Sequence, residues 1–370
     1  MKILMTADSI GGVWTYALEL ARGLEPYDVT VALATMGSTL SPQLRHEAQR
    51  VANIELFESA FKLEWMEDPW REVQQAGEWL LELEAQLNPD IIHLNGYVHG
   101  ALPWRHPVLV VGHSCVLSWW QAVQGEPAPL TWNHYRQQVT RGLRVADLVV
   151  TPTQAMLAEL DKFYGPLPPS RVIHNGRDFK QFVPTTKEPF ALCIGRLWDE
   201  AKNVAALERI APELVWPVYV AGSTQHPEGG SLRAGQLHAL GHLDSHQLKD
   251  WLGRAAIYVL PARYEPFGLS ALEAALSGCA LVLSDIPSLR EVWGEAATFV
   301  PLDDDAALTS TLNTLMQDQS RRLTLGQQAR ARALEFSLKR MAESYFGVYQ
   351  DLLPDRALTT APRVGELLYF

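Results

Sequence analysis

The chain has 370 residues, a formal net charge of −11 and an ordinary apolar share of 47%. That length is too great for one small core, and a prior of ~150 residues per domain predicts two or three domains. No run of Lys or Arg is present, so nucleic acid is not expected as a partner, and the case for an anionic membrane surface is weak.

The first residues and the cysteines favour a reducing compartment. Residues 1–5 predict a short buried strand and not a signal peptide, because polar residues follow at once. The three cysteines, Cys115, Cys193 and Cys279, form no C-x-x-C pair, which argues against a disulfide framework and a structural zinc site. No apolar run approaches the ~18–20 residues that span a bilayer. We expect a cytoplasmic protein without a transmembrane segment; peripheral association with a membrane stays open.

The N-terminal half alternates strand-like and helix-like segments. In chain order, the predicted elements are a strand at 2–6, a glycine turn at Gly11-Gly12, a helix at 15–23 and strands at 29–34, 91–94, 108–111 and 148–150. The last three runs are almost wholly apolar, which is typical of parallel strands covered by helices on both faces. The alternation predicts a doubly wound α/β lobe.

Residues 183–189 interrupt this pattern with two prolines and no regular period, which predicts an interdomain linker. The alternation then resumes, with predicted strands at 190–194, 218–221, 257–260 and 280–283, and helices at 203–210, 246–255, 269–276 and 340–352. The sequence therefore predicts two Rossmann-like lobes with parallel sheets. They face a cleft in which ligands bind beyond the carboxyl ends of the strands.

The most informative segment, residues 261–275, joins a predicted strand to a predicted helix. Gly268 lacks a Cβ, so its backbone can approach a ligand closely, and the first amides of the following helix suit a phosphate. Glu265 precedes this turn and Glu273 follows it. Carboxylates accept hydrogen bonds from paired sugar hydroxyls, so the two together predict a nucleotide-sugar site. Either one alone is equally well a solvated charge.

A second cluster, residues 195–203, follows the first strand of the second lobe. Arg196 and Lys202 at a strand's end can reach the same anion. Such charge-assisted hydrogen bonds contribute ~1.5–3 kcal/mol each and strengthen as charge builds on a departing diphosphate. The alternative is that both side chains pair with Asp199 and Glu200 on the surface.

Two further features lie at predicted strand ends in the first lobe. The pair Gly11-Gly12 permits close backbone approach from the opposite side of the cleft, although a G-x-G-x-x-G fingerprint is missing. His113 follows a predicted buried strand and is therefore expected at the cleft edge. A packed or capping histidine is the alternative there.

Together these residues resemble glycosyltransferase family 4, retaining enzymes of the two-lobed GT-B class. The most specific match is the E-x7-E element formed by Glu265 and Glu273, combined with Gly195-Arg196-Leu197. The resemblance covers most of the chain, through Gly11-Gly12, His113 and residues 146–150, 174–178 and 301–303.

The resemblance implies how a donor would be held. Arg196 and Lys202 would bind its diphosphate, helped by the backbone at Gly12, Gly268 and Leu269. Glu265 and the Phe267 loop would bind the hexose, and Glu273 the ribose. The base would lie near Gly222, His242 and Leu243, and His113 near the reacting face of the sugar. The implied catalytic residues are His113, Glu265, Arg196 and Lys202.

The same resemblance implies a GT-B division of the chain and a reaction. Residues 1–182 would form the acceptor-side lobe and 183–335 the donor lobe, with 336–370 crossing back as a helix and tail. The reaction would be metal-independent and cofactor-free transfer of a hexose, with retention, from a nucleotide-diphosphate sugar. UDP-glucose is the favoured donor. The acceptor would be a saccharide, a lipid-linked saccharide or another hydroxyl compound, in polysaccharide or glycoconjugate biosynthesis.

Several alternatives stay open. A nucleotide-sugar epimerase on the same scaffold, or a non-catalytic sugar-nucleotide sensor, would share much of this pattern. Seven tryptophans of the N-terminal half form either a stacking platform for a saccharide or ordinary core: Trp65, Trp70, Trp79, Trp104, Trp119, Trp120 and Trp132. The nucleotide base, the hexose, the acceptor, the linkage and the oligomeric state are not determined by the sequence.

Overall fold

The computed structural model describes residues 1–9, 11–223 and 235–353. Its first lobe is built on a seven-stranded parallel sheet with the order β3-β2-β1-β4-β5-β6-β7. The strands are β1 Lys2–Asp8, β2 Thr30–Met36, β3 Ile54–Glu58, β4 Ile91–Leu94, β5 Val108–Val111, β6 Leu148–Thr151 and β7 Ser170–Val172. The helices of this lobe are α1 Gly12–Leu24, α2 Pro42–Gln49, α3 Trp70–Leu87, α4 Val116–Gln124, α5 Asn133–Val145 and α6 Gln154–Tyr164.

The second lobe is built on a six-stranded parallel sheet with the order β10-β9-β8-β11-β12-β13. Its strands are β8 Glu188–Ile194, β9 Val218–Ala221, β10 His238–Gly241, β11 Ala255–Leu260, β12 Ala280–Ser284 and β13 Thr298–Val300. The helices are α7 Val204–Ile210, α8 Ser245–Arg254, α9 Leu269–Leu276, α10 Pro287–Trp293, α11 Asp305–Gln317 and α12 Gln319–Ala333, followed by α13 Leu338–Leu352. The predicted pair of Rossmann-like lobes is confirmed.

The apolar strands form the cores as their composition predicts. All four residues of β4, β5 and β6 are buried, as are all six of β11. Parallel strands need helices on both faces, and burial on both faces explains why these strands carry no polar alternation. In each sheet the strand order reverses beside the first strand, at β1/β4 and at β8/β11. Ligands of open α/β sheets bind at such reversals, beyond the carboxyl ends of the strands.

The last described helix, α13, packs on the first lobe although it follows the second lobe in the chain. Met341, Tyr345 and Tyr349 are buried in the core that contains α1. The approach is close, because a Cβ built on Gly23 of α1 would lie 2.8 Å from the Cβ of Ala342. Within the described residues, the chain therefore crosses between the lobes twice.

The two crossings lie side by side. The Arg177 amide donates to the Phe336 carbonyl at 3.1 Å, and the Leu338 amide donates to the Arg177 carbonyl at 3.0 Å. A Cβ built on Gly176 would lie 2.4 Å from the Ser337 carbonyl oxygen, so no larger residue fits there. We call this pairing of residues 176–177 with 336–338 the hinge.

No helix within the described ranges is long and apolar enough to cross a bilayer.

Candidate active site

A cleft of ≈ 1640 Å³ separates the lobes. The loops after β1, β4 and β5 line one wall, and those after β8, β9 and β11 line the other. All the residues predicted to bind or act on a donor line this cleft: Gly12, His113, Arg196, Lys202, Gly222, His242, Leu243, Glu265, Phe267, Gly268, Leu269 and Glu273.

The glycine pair after β1 lies against the second lobe, as its predicted position requires. Gly11 has φ +109°, in the region that favours glycine. A Cβ built on it would lie 3.7 Å from Arg196 Nη1, and a Cβ on Gly12 would lie 3.6 Å from Leu269 Cδ1. A group held between these loops would contact both lobes at once.

The turn before α9 lines the cleft. Gly268 has φ +88° and precedes α9 without a capping side chain. Glu265 Oε1 accepts the Gly268 amide at 2.9 Å, and its Oε2 accepts from Lys202 Nζ at 2.6 Å. One carboxylate thus joins the predicted phosphate-binding amides to a predicted phosphate-binding cation.

Arg196 is held by a buried aspartate and still reaches the cleft. Its Nη2 donates to Asp199 Oδ2 at 2.8 Å, and the Arg196 side chain is 39% exposed whereas that of Asp199 is 4% exposed. Asp199 also accepts from the indole of Trp119, which belongs to the opposite lobe, at 3.1 Å. Of the expected surface pairs only Arg196–Asp199 forms, and it is an orienting contact because Asp199 is buried.

Glu273 is buried in α9 beside a cation that sequence reasoning left without a role. Arg177 Nε lies 3.0 Å from Glu273 Oε1, and Arg177 Nη1 lies 3.5 Å from Glu19 Oε2 on α1. Burial raises the pKa of Glu273, while the positive charges of Arg177 and Lys249 oppose that rise. Arg177 lies within residues 174–178, one of the segments that carry the family resemblance, but only the tertiary structure brings it to Glu273.

His113 is a neutral group at the cleft edge. Burial lowers its pKa to about 3. Its Nε2 lies 2.8 Å from Asn95 Oδ1, and Asn95 Nδ2 donates to the Thr6 carbonyl at 2.7 Å. With the amide of Asn95 oriented in this way, His113 Nε2 carries the proton and donates it. Nδ1 of His113 is therefore the acceptor.

The predicted base region lies at the end of β9. Gly222 has φ +134°, and a Cβ built there would lie 1.8 Å from the Gly195 carbonyl oxygen, so the loops after β8 and β9 are in contact. The Gly222 amide donates to the Gly241 carbonyl at 2.8 Å. His242 and Leu243 follow β10 directly and line the cleft.

The family comparisons match this geometry on both lobes. The profile of Glycosyltransferase Family 4 matches residues 10–181, and that of Glycosyl transferases group 1 matches residues 188–318. The chain belongs to glycosyltransferase family 4. In this family 4 chain, the two matched regions contain every residue predicted to bind or act on a donor.

Curated relatives resemble part of this family 4 chain. It is 27% identical to alpha-maltose-1-phosphate synthase of Mycolicibacterium smegmatis over 248 residues, covering 56% of the chain and 64% of that protein. It is 33% identical to glycogen synthase of Mycobacterium tuberculosis over 211 residues, covering 52% of the chain and 49% of that protein. The chain thus spans about half to two thirds of the length of these relatives.

Solved structures share the fold along nearly the whole chain. Sucrose-phosphate synthase from Thermosynechococcus elongatus superposes with a TM-score of 0.81 at 20% identity, covering 95% of this chain and 99% of that one. HepE of Anabaena, in complex with UDP-glucose, superposes with a TM-score of 0.75 at 17% identity, covering 95% and 100%. These likenesses confirm the GT-B fold.

The tryptophans of the family 4 chain divide into two groups. Trp65, Trp119, Trp120 and Trp132 line the cleft. The other three pack within the first lobe: Trp104 is buried, Trp70 lies edge-on against His134, and the ring of Trp79 contacts that of Phe61 at a tilt. The geometry therefore limits a stacking surface to the first four.

Glu64 is a cleft residue that sequence reasoning missed. It lies in the loop after β3 and accepts the amides of Tyr97 and Val98, both at 3.1 Å to Oε2. Burial raises its pKa to about 7 although these amides favour the ionised form. No motif surrounds Glu64, so nothing local in the sequence separates it from the other glutamates.

No cluster of three or more metal-ligating side chains occurs in the described part of the chain. Metal independence of the reaction stays a prediction.

Proposed function

We propose that this chain is a retaining glycosyltransferase that moves a hexose from a nucleotide-diphosphate sugar to a hydroxyl acceptor in polysaccharide or glycoconjugate biosynthesis. The observation that carries the proposal is the meeting of Gly11-Gly12, Arg196 and the turn at Glu265–Gly268 in one interlobe cleft. Glycogen synthase and alpha-maltose-1-phosphate synthase among the relatives point to the same class of reaction.

Donor binding would proceed by exchange of the contacts already present. The diphosphate would take the Gly268 amide and the Lys202 ammonium from Glu265, and Arg196 would add a second cation. Glu265, released from these partners, would accept hydroxyls of the hexose beside Phe267. Glu273 would bind the ribose. UDP-glucose is the favoured donor, and the complex of HepE with UDP-glucose is consistent with that choice.

The base would extend over the loops after β9 and β10. Gly222, His242 and Leu243 line that part of the cleft. Contact between the Gly222 and Gly195 loops keeps the base end close to the diphosphate end.

The chemistry would develop charge where the cleft already holds cations. As the bond from the anomeric carbon to the diphosphate oxygen breaks, the sugar becomes oxocarbenium-like and negative charge builds on the phosphate. Arg196, Lys202 and the first amides of α9 stabilise that charge more in the transition state than in the bound donor. We propose that these groups suffice without a metal ion. The acceptor hydroxyl would attack from the leaving group's face and pass its proton to the departing phosphate, so the configuration is retained.

His113 would act as a neutral hydrogen-bonding group near the reacting sugar. Its proton on Nε2 is committed to Asn95, which leaves the Nδ1 lone pair for a sugar hydroxyl. With a pKa of about 3, it stays uncharged at neutral pH.

A saccharide, free or lipid-linked, is the acceptor class we propose. Trp65 and Trp132 supply aromatic faces to the cleft, and Glu64 supplies a carboxylate there for hydroxyls. We further propose a cytoplasmic location and the division 1–182, 183–335 and 336–370. Packing of α13 on the first lobe supports the last boundary.

The decisive experiment replaces Glu265 by alanine. Losing the sugar contact and the partner of Lys202 should lower kcat/KM for UDP-glucose by roughly 100-fold or more. Glu188→Ala is the matched control, because Glu188 is an exposed glutamate of the same lobe that pairs with Arg254. Unchanged turnover and donor affinity in Glu265→Ala would overturn the assignment.

A donor-consumption assay separates the alternative functions. The protein is incubated with UDP-glucose, with and without a panel of oligosaccharides, and the anomeric configuration of the product is determined by NMR. Acceptor-dependent consumption with retention supports transfer. Isomerisation of the donor sugar without any acceptor would indicate an epimerase, and binding without consumption would indicate a sensor.

A further inference from the structure

Within the hinge, the side chain of Arg177 lies between two buried carboxylates, those of Glu19 and Glu273. Its own side chain is 8% exposed, and those of Glu19 and Glu273 are 4% and 7% exposed. The three come from different parts of the fold: α1 of the first lobe, the hinge, and α9 of the second lobe. Buried charges are stable only when compensated, so this arrangement depends on the guanidinium.

The backbone of Arg177 is held by hydrogen bonds, whereas Nε of its side chain makes none to a described residue. Both its amide and its carbonyl are hydrogen-bonded to the second crossing. Although Nε lies 3.0 Å from Glu273, the N–H does not point at the oxygen, and Nε has no hydrogen bond to any described residue. The guanidinium of Arg177 therefore lies beside Glu273 as a buried cation, and its Nε occupies no hydrogen-bonding position of that carboxylate.

We infer that Arg177 is a positioning residue, which holds the Glu273 carboxylate for the ribose of a bound nucleotide and ties it to the hinge between the lobes. This inference rests on the proposed function, in which Glu273 accepts the ribose hydroxyls. Because Glu19 shares the same guanidinium, ribose binding at Glu273 is coupled to a residue of the opposite lobe.

The charges facing Glu273 give the inference a pH signature. Arg177 and Lys249 lower its pKa, while burial and Glu19 raise it; Tyr258 also lies nearby and stays neutral because its own pKa is well above 10. Removing Arg177 takes away the nearest cation, so the pKa of Glu273 must rise. A protonated Glu273 has lost acceptor capacity for two hydroxyls, and that capacity returns when higher pH ionises it.

UDP binding measured by isothermal titration calorimetry at pH 7 and pH 9 tests this. Relative to wild type at the same pH, Arg177→Met should bind UDP about tenfold more weakly at pH 7, the loss expected when Glu273 is ionised in the wild type and only about one in ten of the variant's Glu273 carboxyls is ionised. The deficit should shrink to about threefold or less at pH 9. Taking each ratio at one pH cancels the ionisation of UDP itself.

Two variants separate positioning from mere structural support. In the Glu273→Gln background, adding Arg177→Met should give a UDP deficit that is the same at both pH values, because the carboxyl that would contact the ribose is no longer there to titrate. Arg177→Lys keeps a charge but cannot span both carboxylates, so a two- to threefold deficit at pH 7 should also recover at pH 9. This variant serves as the test if Arg177→Met does not fold.

The outcomes distinguish the two proposals. A pH-independent deficit in both Arg177→Met and Arg177→Lys, or no deficit, would overturn the positioning role and leave the proposed function intact. Failure of the wild type to bind UDP, GDP or ADP would overturn the proposed function, and the inference with it.

Discussion

The donor-side wall of the cleft holds charged side chains in pairs, whereas the part of the opposite wall around His113 presents neutral hydrogen-bonding groups. On the donor side, Lys202 pairs with Glu265 and Arg196 with Asp199. On the other, burial keeps His113 uncharged, with a pKa of about 3. His93 lies in the core, 3.3 Å from the same Asn95 side chain, and burial lowers its pKa to about 3 as well. The charged pairs suit a diphosphate, which can exchange with a carboxylate. Neutral groups suit sugar hydroxyls, which need acceptors and donors without a field that attracts ions.

The two lobes also contact each other beside the cleft. Tyr264 of the second lobe places its hydroxyl 2.8 Å from Ser118 Oγ, and Glu291 accepts the amides of Gln154 and Ala155 at the start of α6. The charged wall is therefore positioned by hydrogen bonds between its lobe and the first lobe. We therefore expect donor binding at the charged wall to depend on these contacts with the first lobe.

The largest effect is expected from the charged wall. Arg196→Met removes a cation that stabilises the departing diphosphate, so kcat/KM for the donor should fall by roughly 100- to 1,000-fold. Steady-state kinetics with UDP-glucose measure it. Arg209→Met is the control, since Arg209 pairs with Asp305 on the surface of the same lobe. Equal kinetics in the two variants would show that charge pairing in the cleft is structural only.

A smaller effect, confined to the acceptor, is expected from Glu64→Gln. Loss of one charge-assisted hydrogen bond should raise the acceptor KM by about tenfold, or ~1.4 kcal/mol, and leave donor affinity unchanged. Since the pKa of Glu64 is about 7, wild-type kcat/KM for the acceptor should rise through pH 7 as the carboxyl ionises. Glu64→Gln should lack that rise.

The control for this prediction is Glu78→Gln on the exposed face of α3. If Glu64→Gln changed donor affinity as much as acceptor KM, the assignment of Glu64 to the acceptor side would be wrong.

The last prediction concerns stability and not activity. The pKa of His93 falls from 6.5 to about 3 on folding, so below pH 6.5 the unfolded chain binds a proton that the folded chain does not. The stability from neutral His93 is complete above pH 6.5 and is lost as the pH falls, by ~2 kcal/mol between pH 7 and 5. Thermal unfolding of His93→Gln should show a shallower fall of Tm over that range.

His46→Gln, which removes an exposed histidine of the same lobe, should keep the wild-type slope. Parallel slopes in all three proteins would mean that His93 does not account for the acid sensitivity.

The fold and the donor-side loops were accessible from local patterns. Apolar runs such as 91–94 and 108–111 specify parallel strands, because burial on both faces leaves no room for polar alternation. Glycines at strand ends mark close backbone approach, as Gly222 against Gly195 shows. The short strands β3, β7, β10 and β13 were missed, since three to five residues at the sheet margins give too little periodicity.

Local patterns also brought Arg196, Lys202, Glu265 and Glu273 to notice, because parallel sheets place all their strand-end loops on one edge. The partner of each charge was settled only by packing. Lys202 bonds Glu265, Glu273 faces Arg177, and Glu64 accepts the amides of Tyr97 and Val98. Side chains that meet through burial come from elements far apart in the chain, and the free energy of a buried charge depends on all its neighbours. A single segment of sequence specifies neither the distant partner of a charge nor the neighbours that determine its free energy.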